Sequence, residues 1–510
     1  MSEATQGNAA SEQFEQFERS IGEVHALRCA DCARSDSMVE GVEPTSRVPI
    51  PPEALAGFPD GVPRPPVGRQ SRRRFLLGSA VGMASIYSAA HLSWESVWDA
   101  AAARAATPAA ETILVSIYLN GGNDGLNAIV PVSQAQYAGY MAQRQNIARV
   151  LGPSGGGKVG TTVMPGTGGT LAFANPLVSG TGNNGAPVGL DTLYGDGSGG
   201  AGSDLAIFPA ADYQPANLSH FESRDYWFAG ALDDQMATGW LGRWLDRYGS
   251  STNPLQAVSI NSTLSKSILT DTAPVCAISN LSQTNFQLPF ANANPQIASL
   301  AGIAANPANL ALTRSRATYG ETVQMSHEVS GLNGVSTAPG YPSNSDLSSN
   351  LQLAATLLSA GLGTRIVTID WGSFDTHGDQ ISSQDPQFAV LSQALAAFKA
   401  DLIARGLEQN VLTLVYSEFG RRIGSNDSLG TDHGAGGLVM VSGSSVLGGL
   451  AGEHPGVQGD ENDNLVPITD FRTVYQALIS EWLGGDPAAI LPDGPFPGIA
   501  RYDGGTTLVK

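Results

Sequence analysis

Apolar runs and polar breaks alternate along this chain with the rhythm of strands and helices. Residues 112–119 (Thr-Ile-Leu-Val-Ser-Ile-Tyr-Leu) form one continuous β-branched and apolar run. A run without polar alternation predicts a strand buried on both faces of a parallel sheet. Similar runs occupy 364–370 and 411–416, with shorter ones at 205–208 and 438–441. Residues 134–149, 233–248, 311–331, 347–361, 388–405 and 469–483 read as helices. Strands alternating with helices predict βαβ units: an α/β fold with a mostly parallel central sheet and helices on both faces. Two stretches break the rhythm. Residues 153–203 are rich in Gly, Ser and Thr and predict a loop-rich surface insertion, and 249–310 assign to no element.

The N-terminal part has a different pattern. Residues 1–70 are polar and Pro-rich, as in Pro63-Arg64-Pro65-Pro66, and predict a disordered leader. Then come Ser71-Arg72-Arg73-Arg74-Phe75-Leu76, a mildly apolar run over 75–92, and the small-x-small site Ala103-Arg104-Ala105. Basic residues, apolar run and small-residue site stand in the order of a cleavable export signal of the twin-arginine kind. Residues 71–105 are therefore the expected signal segment and 106–510 the expected mature domain. The implied partner is the twin-arginine translocase, and the implied location is periplasmic or extracellular. No permanent membrane span is expected once the signal is removed.

Composition narrows the partners. The net charge is −19 and lysine occurs only at 158, 266, 399 and 510. Nucleic acids and anionic membrane surfaces need basic patches, so neither is an expected partner. Of three cysteines, Cys29 and Cys32 form a lone C-x-x-C in the leader and Cys276 stands alone. A zinc site would need a second pair, and a redox role would be lost on cleavage.

Chemistry-bearing residues gather after the predicted strands, where ligands bind in open α/β sheets. The first strand runs into Asn123-Asp124. The second is followed by Asp375-Thr376-His377-Gly378, and the third by Glu418 and then Thr431-Asp432-His433-Gly434. Carboxylate oxygens and imidazole nitrogens are the ligands of divalent metals, and such ions stabilise both oxygens of a phosphoryl or sulfuryl transfer. Singly, each of these segments also reads as a turn or a helix cap.

Three segments carry a family resemblance: Tyr118 to Asn127, Phe374 to Gly378, and Ser417 to Arg421 leading into Thr431 to Gly434. Supporting matches are Ser219-His220-Phe221, Ala237 to Arg243, and Asp470-Phe471-Arg472. Together they resemble the signature blocks of the domain of unknown function 1501 family, from about residue 71 to the C-terminus. That family is similar in fold to the alkaline phosphatase and sulfatase superfamily. The resemblance implies that Asp124, Asp432 and His433 serve one divalent ion (Zn, Mn or Ca), while Asp375 and His377 either serve a second or act as an acid/base pair. The spacing of Asp375 and His377 departs from the superfamily's pattern, and His454 is the candidate for its last imidazole ligand. The superfamily's nucleophile sits at a helix N-terminus. Ser219 and Thr238 are the candidates here, although neither lies at a clear helix start and Thr238 falls inside the predicted helix. Arg243 and Arg421 are candidates to grip a small anionic ester, or else to pair with Asp246 and Glu418. The expected activity is metal-dependent hydrolysis of phosphate or sulfate esters. The alternative is a non-catalytic binding or structural protein on a degenerate hydrolase scaffold.

Overall fold

A computed structural model describes residues 85–87 and 111–510, except 179, 182–186, 201, 252, 280–339 and 502. They belong to one unit, Val81–Lys510. The leader with Cys29 and Cys32, the twin-arginine motif, the cleavage site and the predicted helix 311–331 lie outside the described residues.

Ten strands build the central sheet. In chain order they are β1 (Ser85–Tyr87), β2 (Ile113–Leu119), β3 (Leu205–Asp212), β4 (Ala257–Ser259), β5 (Val275–Ala277), β6 (Ile366–Trp371), β7 (Val411–Ser417), β8 (Gly437–Ser442), β9 (Gly449–Leu450) and β10 (Thr469–Asp470). Their order across the sheet is β1-β5-β4-β6-β2-β7-β8-β3-β9, with β10 also pairing β3. The five strands from β5 to β7 are parallel, and β1 and β8 run against the rest. The sheet is thus mostly parallel, as its unbroken apolar runs predict. Ser85–Tyr87, inside the apolar run expected as the export segment, pairs antiparallel with β5. No helix among the described residues is long and apolar enough to cross a membrane.

Six helices matter for the site and its support: α1 (Gln134–Gln143), α2 (His220–Ala229), α3 (Trp240–Tyr248), α4 (Asp346–Ser359), α5 (Gln380–Ala404) and α6 (Phe471–Ala477). They cover both faces of the sheet. From β2, Val115, Ile117 and Leu119 join the core built with α4 and α5, while Leu114 and Tyr118 join the core built with α2, α3 and α6. Alternation of side chains across a strand makes every β2 residue an inward one, which explains its uniform hydrophobicity. Aromatic stacking fixes α2 and α3 against α6: Trp227 stacks on Phe471 at 4.2 Å and Trp240 on Tyr475 at 4.3 Å. Such pairs add about 0.5–1.5 kcal/mol each beyond the area they bury.

Several elements differ from their predicted bounds for physical reasons. The helix expected at 233–248 begins at Trp240 with Gly239 as its N-cap, so Thr238 precedes the helix. The helix expected at 388–405 starts eight residues earlier and runs through Pro386. Its first turns are polar because Gln380 and Gln384 are buried in hydrogen bonds, which hydrophobic periodicity cannot register. The helix expected at 134–149 stops at Gln143. The stretch read as 469–483 divides into β10, α6 and a π-helical turn, Leu478–Leu483. Within the Gly/Ser-rich stretch expected to be irregular, Gly160–Val163 and Leu171–Ala174 join Ile129–Pro131 and Val150–Leu151 in a second, four-stranded sheet. Strands of two to four residues are too short to show a two-residue period.

Candidate metal centre

Because β2, β3, β6 and β7 point the same way, the loops after them leave one edge of the sheet, and four of these loops meet. The loop after β2 turns sharply at Gly121. Its φ of +108° suits glycine, and a Cβ there would stand 2.4 Å from the Asp375 backbone nitrogen. The loop after β3 ends in Ser219, the N-cap of α2, whose Oγ accepts from Glu222 N–H at 3.5 Å. Ser219 is therefore at a helix start. The signal was available in Ser219-x-x-Glu222, the spacing of a capping box. After β7 the chain forms a hairpin in which Gly420–Arg421 pairs with His433–Gly434.

These loops bring three imidazoles around one carboxylate. His377 Nε2 lies 3.0 Å from Asp375 Oδ1, His433 Nε2 lies 3.3 Å from the same oxygen, and His220 Nε2 lies 3.5 Å from Asp375 Oδ2. The ligand atoms of His220, Asp375 and His433 all fall within 4.8 Å of one another. His377 Nε2 is 2.9 Å from His433 Nε2.

The opposite nitrogen of each ring is held by an acceptor. His220 Nδ1 faces Glu418 Oε1 at 2.8 Å, His377 Nδ1 faces Asp432 Oδ1 at 3.0 Å, and His433 Nδ1 faces the Leu218 carbonyl at 2.9 Å. A carbonyl or ionised carboxylate only accepts, so each Nδ1 carries the proton and donates it. The neutral form of each ring then turns the Nε2 lone pair toward Asp375. Partners that fix the tautomer in this way accompany most metal-bound histidines.

The charges agree with a site arranged for a cation. Burial alone would raise the Asp375 carboxyl, but hydrogen bonds from His220, His377 and His433 and the charge of Arg421 hold it far below the carboxylate range. Burial opposes ionisation of Glu418, yet the bond to His220 keeps it ionised. The His377 bond lowers Asp432 to about 2. Burial and three positive neighbours push His433 down to about 4, so its ring is neutral. Burial lowers His220, but its bonds to Asp375 and Glu418 win and raise it to about 9. Metal binding would require the raised His220 and His377 rings to give up their protons, the usual accompaniment of metal binding.

Two observations test whether a metal fits. The buried Nε2 of His220 meets Asp375 Oδ2 only at 3.5 Å, the longest of the three imidazole contacts with that carboxylate. Nε2 of His433 faces both Nε2 of His377 at 2.9 Å and the Asp375 carboxylate at 3.3 Å, so nitrogen and oxygen donors converge on one point. The donor set fits a divalent ion that accepts nitrogen and oxygen.

Arg421 ties the loops together. Its fully buried guanidinium donates to Asp375 Oδ1 at 2.7 Å and to the carbonyls of Gly121, Gly122, Phe374 and Thr431. It pairs with Asp375, and Glu418 pairs with His220. Gly430 lets the 426–430 loop touch the backbone of His377, where a Cβ would come within 2.3 Å of the carbonyl carbon.

The other candidates stand elsewhere. Asp124 is buried, with Arg144 Nη1 and Gln380 Nε2 both 2.5 Å from Oδ2 and Asn127 N–H on Oδ1. Its carboxylate is engaged outside the imidazole group. His454 spends one ring nitrogen on the Ile129 carbonyl and the other on Gly456 N–H. Asp432 reaches the group through His377. Arg243 donates to the carbonyls of Ile490, Thr238 and Ala229, and Asp246 instead caps the backbone of 271–273. Thr238 is buried beside the start of α3. Two residues of the group were not singled out as ligands or supports from sequence: His220, read only as part of the Ser219-His220-Phe221 match, and Glu418, read only as an acid after a strand and a partner for Arg421.

Comparison with known proteins adds a family. No curated protein matches the chain. A family model described as a protein of unknown function, DUF1501, matches residues 210–480, a span that holds His220, Asp375, His377, Glu418, Arg421, Asp432 and His433. The match covers more than half of the sequence, so the chain belongs to the DUF1501 family.

Proposed function

We propose that this chain is an exported, metal-dependent hydrolase of phosphate or sulfate esters. The observation that carries the reading is the facing of three imidazole Nε2 atoms and the Asp375 carboxylate, each ring fixed from behind through Nδ1. His220, Asp375, His377 and His433 would hold the ion. Three imidazoles with one carboxylate suit Zn or Mn, whereas Ca takes oxygen ligands. Such an ion, when bound, polarises an ester oxygen and lowers the pKa of bound water.

The remaining groups have supporting roles. Glu418 and Asp432 keep two of the imidazoles in the ligating tautomer. Ser219 offers a hydroxyl at the start of α2, where backbone N–H groups and the helix dipole favour an anionic ester. Its sequence neighbours Leu218 and His220 both touch the group, which favours Ser219 over Thr238 as the nucleophile. The twin-arginine segment supports export of the folded chain through the twin-arginine translocase, with the periplasm or the exterior as destination.

One observation favours the alternative, a binding protein on a degenerate alkaline-phosphatase-like scaffold. Asp124, which the superfamily resemblance makes a metal ligand, is held by Arg144 and Gln380. Metal analysis of the purified chain, with p-nitrophenyl phosphate and p-nitrophenyl sulfate as substrates, separates the readings. The hydrolase reading expects about one equivalent of tightly held Zn or Mn, lost in H220A/H433A, and metal-dependent release of p-nitrophenol. Metal without turnover of either ester favours the binding protein. Equal metal content in wild type and H220A/H433A overturns the site.

A further inference from the structure

An anionic ester needs a cation to hold it, and both arginines first considered for that task are spent on backbone carbonyls and Asp375. Arg224 is differently placed. On α2 the residues at positions i, i+4 and i+8 are His220, Arg224 and Phe228. Residues four apart on a helix are neighbours on one face. His220 at one end of this row bonds Glu418, and Phe228 at the other packs edge-on against Tyr118 at 4.9 Å. Arg224 therefore lies between them, over the carboxyl ends of the central strands. Burial raises the pKa of both Tyr118 and Asp370, the charge of Arg224 opposes that rise in each, and the two residues are register partners near the ends of β2 and β6.

The guanidinium is also available. Its contacts are with Asp225, whose Oδ1 lies 3.6 Å from Nε, and with the exposed ring of Phe221 at 5.7 Å. Asp225 is itself held by Lys266 at 2.9 Å, which weakens its claim on Arg224. The Arg224 side chain is 38% exposed. In a chain of net charge −19, a partly exposed guanidinium held only by a 3.6 Å ion pair, one helical turn from a metal-ligand candidate, offsets a field that repels anions.

We infer that Arg224 is the specificity residue that grips the anionic oxygens of the substrate, two at a time, beside the imidazole group. A planar fork matches two oxygens of a phosphate or sulfate. The identity of the anion rests on the hydrolase reading; the presence of an anion subsite at Arg224 does not.

The test uses the full chain, with inorganic phosphate and inorganic sulfate as probes in titration calorimetry and metal content measured on the same samples. Wild type should bind one of the two anions. R224Q should weaken that binding about tenfold or more, and R224K should recover part of it because charge is restored without the fork. Metal content and thermal unfolding should match wild type in both variants. Unchanged anion affinity in R224Q overturns the inference, as does a metal-loaded wild type that binds neither anion. A metal-free chain that still binds an anion through Arg224 overturns the hydrolase reading and leaves this inference standing.

Discussion

Glu418→Gln tests how the site is held. Glu418 is 1% exposed, and its Oε1 accepts from Gly121 N–H at 2.9 Å and from His220 Nδ1 at 2.8 Å. Its Oε2 accepts from Ser417 Oγ at 2.8 Å. Glutamine fills the same space and keeps the first two bonds only by placing its oxygen where Oε1 stands. Its amide nitrogen then faces Ser417 Oγ, which already accepts from Gly122 and Asn123 N–H at 3.1 Å each. Three donors would compete for two lone pairs, leaving one buried N–H unsatisfied at about 1–3 kcal/mol. The imidazole also loses its carboxylate, and loss of such a partner weakens metal binding by about 10–100-fold. That change corresponds to about 1.4–2.7 kcal/mol. Competition of Zn against a fluorescent chelator reads the affinity, and melting in excess EDTA reads the stability of the metal-free chain. An affinity within about twofold of wild type, with the EDTA melting curve unchanged, would falsify the idea that Glu418 holds His220 for a metal.

Three further outcomes follow from the same structure. Gly430→Ala should drive the 426–430 loop off His377 and lower Zn affinity by about tenfold, the scale of a displaced ligand support, as read by the same competition. Arg421→Met should leave Asp375 and four backbone carbonyls without their donor and cost about 3 kcal/mol or more in urea unfolding; a loss below about 1 kcal/mol would refute the bracing role. Burial raises Asp212 from its ordinary 3.8 to about 7, so between those values the unfolded chain ionises before the folded one and stability falls as pH rises. Asp212→Asn removes that penalty, which reaches about 4 kcal/mol above pH 7, so its melting temperature should gain on wild type from pH 4 to 8. A pH-independent difference would refute the shift.

Much of the sheet was legible because its central strands are buried on both faces. Ile113–Leu119 and Val411–Ser417 have no solvent side to encode, so the apolar run alone marks them. Elements that bury polar groups were not legible. The start of α5 is written in glutamines and a proline, and only its contacts with Asn123 and Asp124 explain why it is buried. At the candidate site, acids after strands pointed to the edge of the sheet where Asp375, His377 and His433 stand together. The partners of these residues come from across the chain. Nothing local distinguishes Asp124, claimed by Arg144, from a free carboxylate, or reveals that Leu218, 215 residues away, fixes the ring of His433.

The bonds of Arg421 span a great length of chain. Its acceptors lie between 10 and 300 positions away, at Thr431 and at Gly121. Contacts of such separation close large loops and belong to slow, late events in folding. A nascent chain that has made β2 but not the 420–434 hairpin has neither Arg421 nor His433 to complete the imidazole group. Capture of an ion by that group would then report that the chain has finished folding, a checkpoint of direct use if the chain is exported folded, as proposed above.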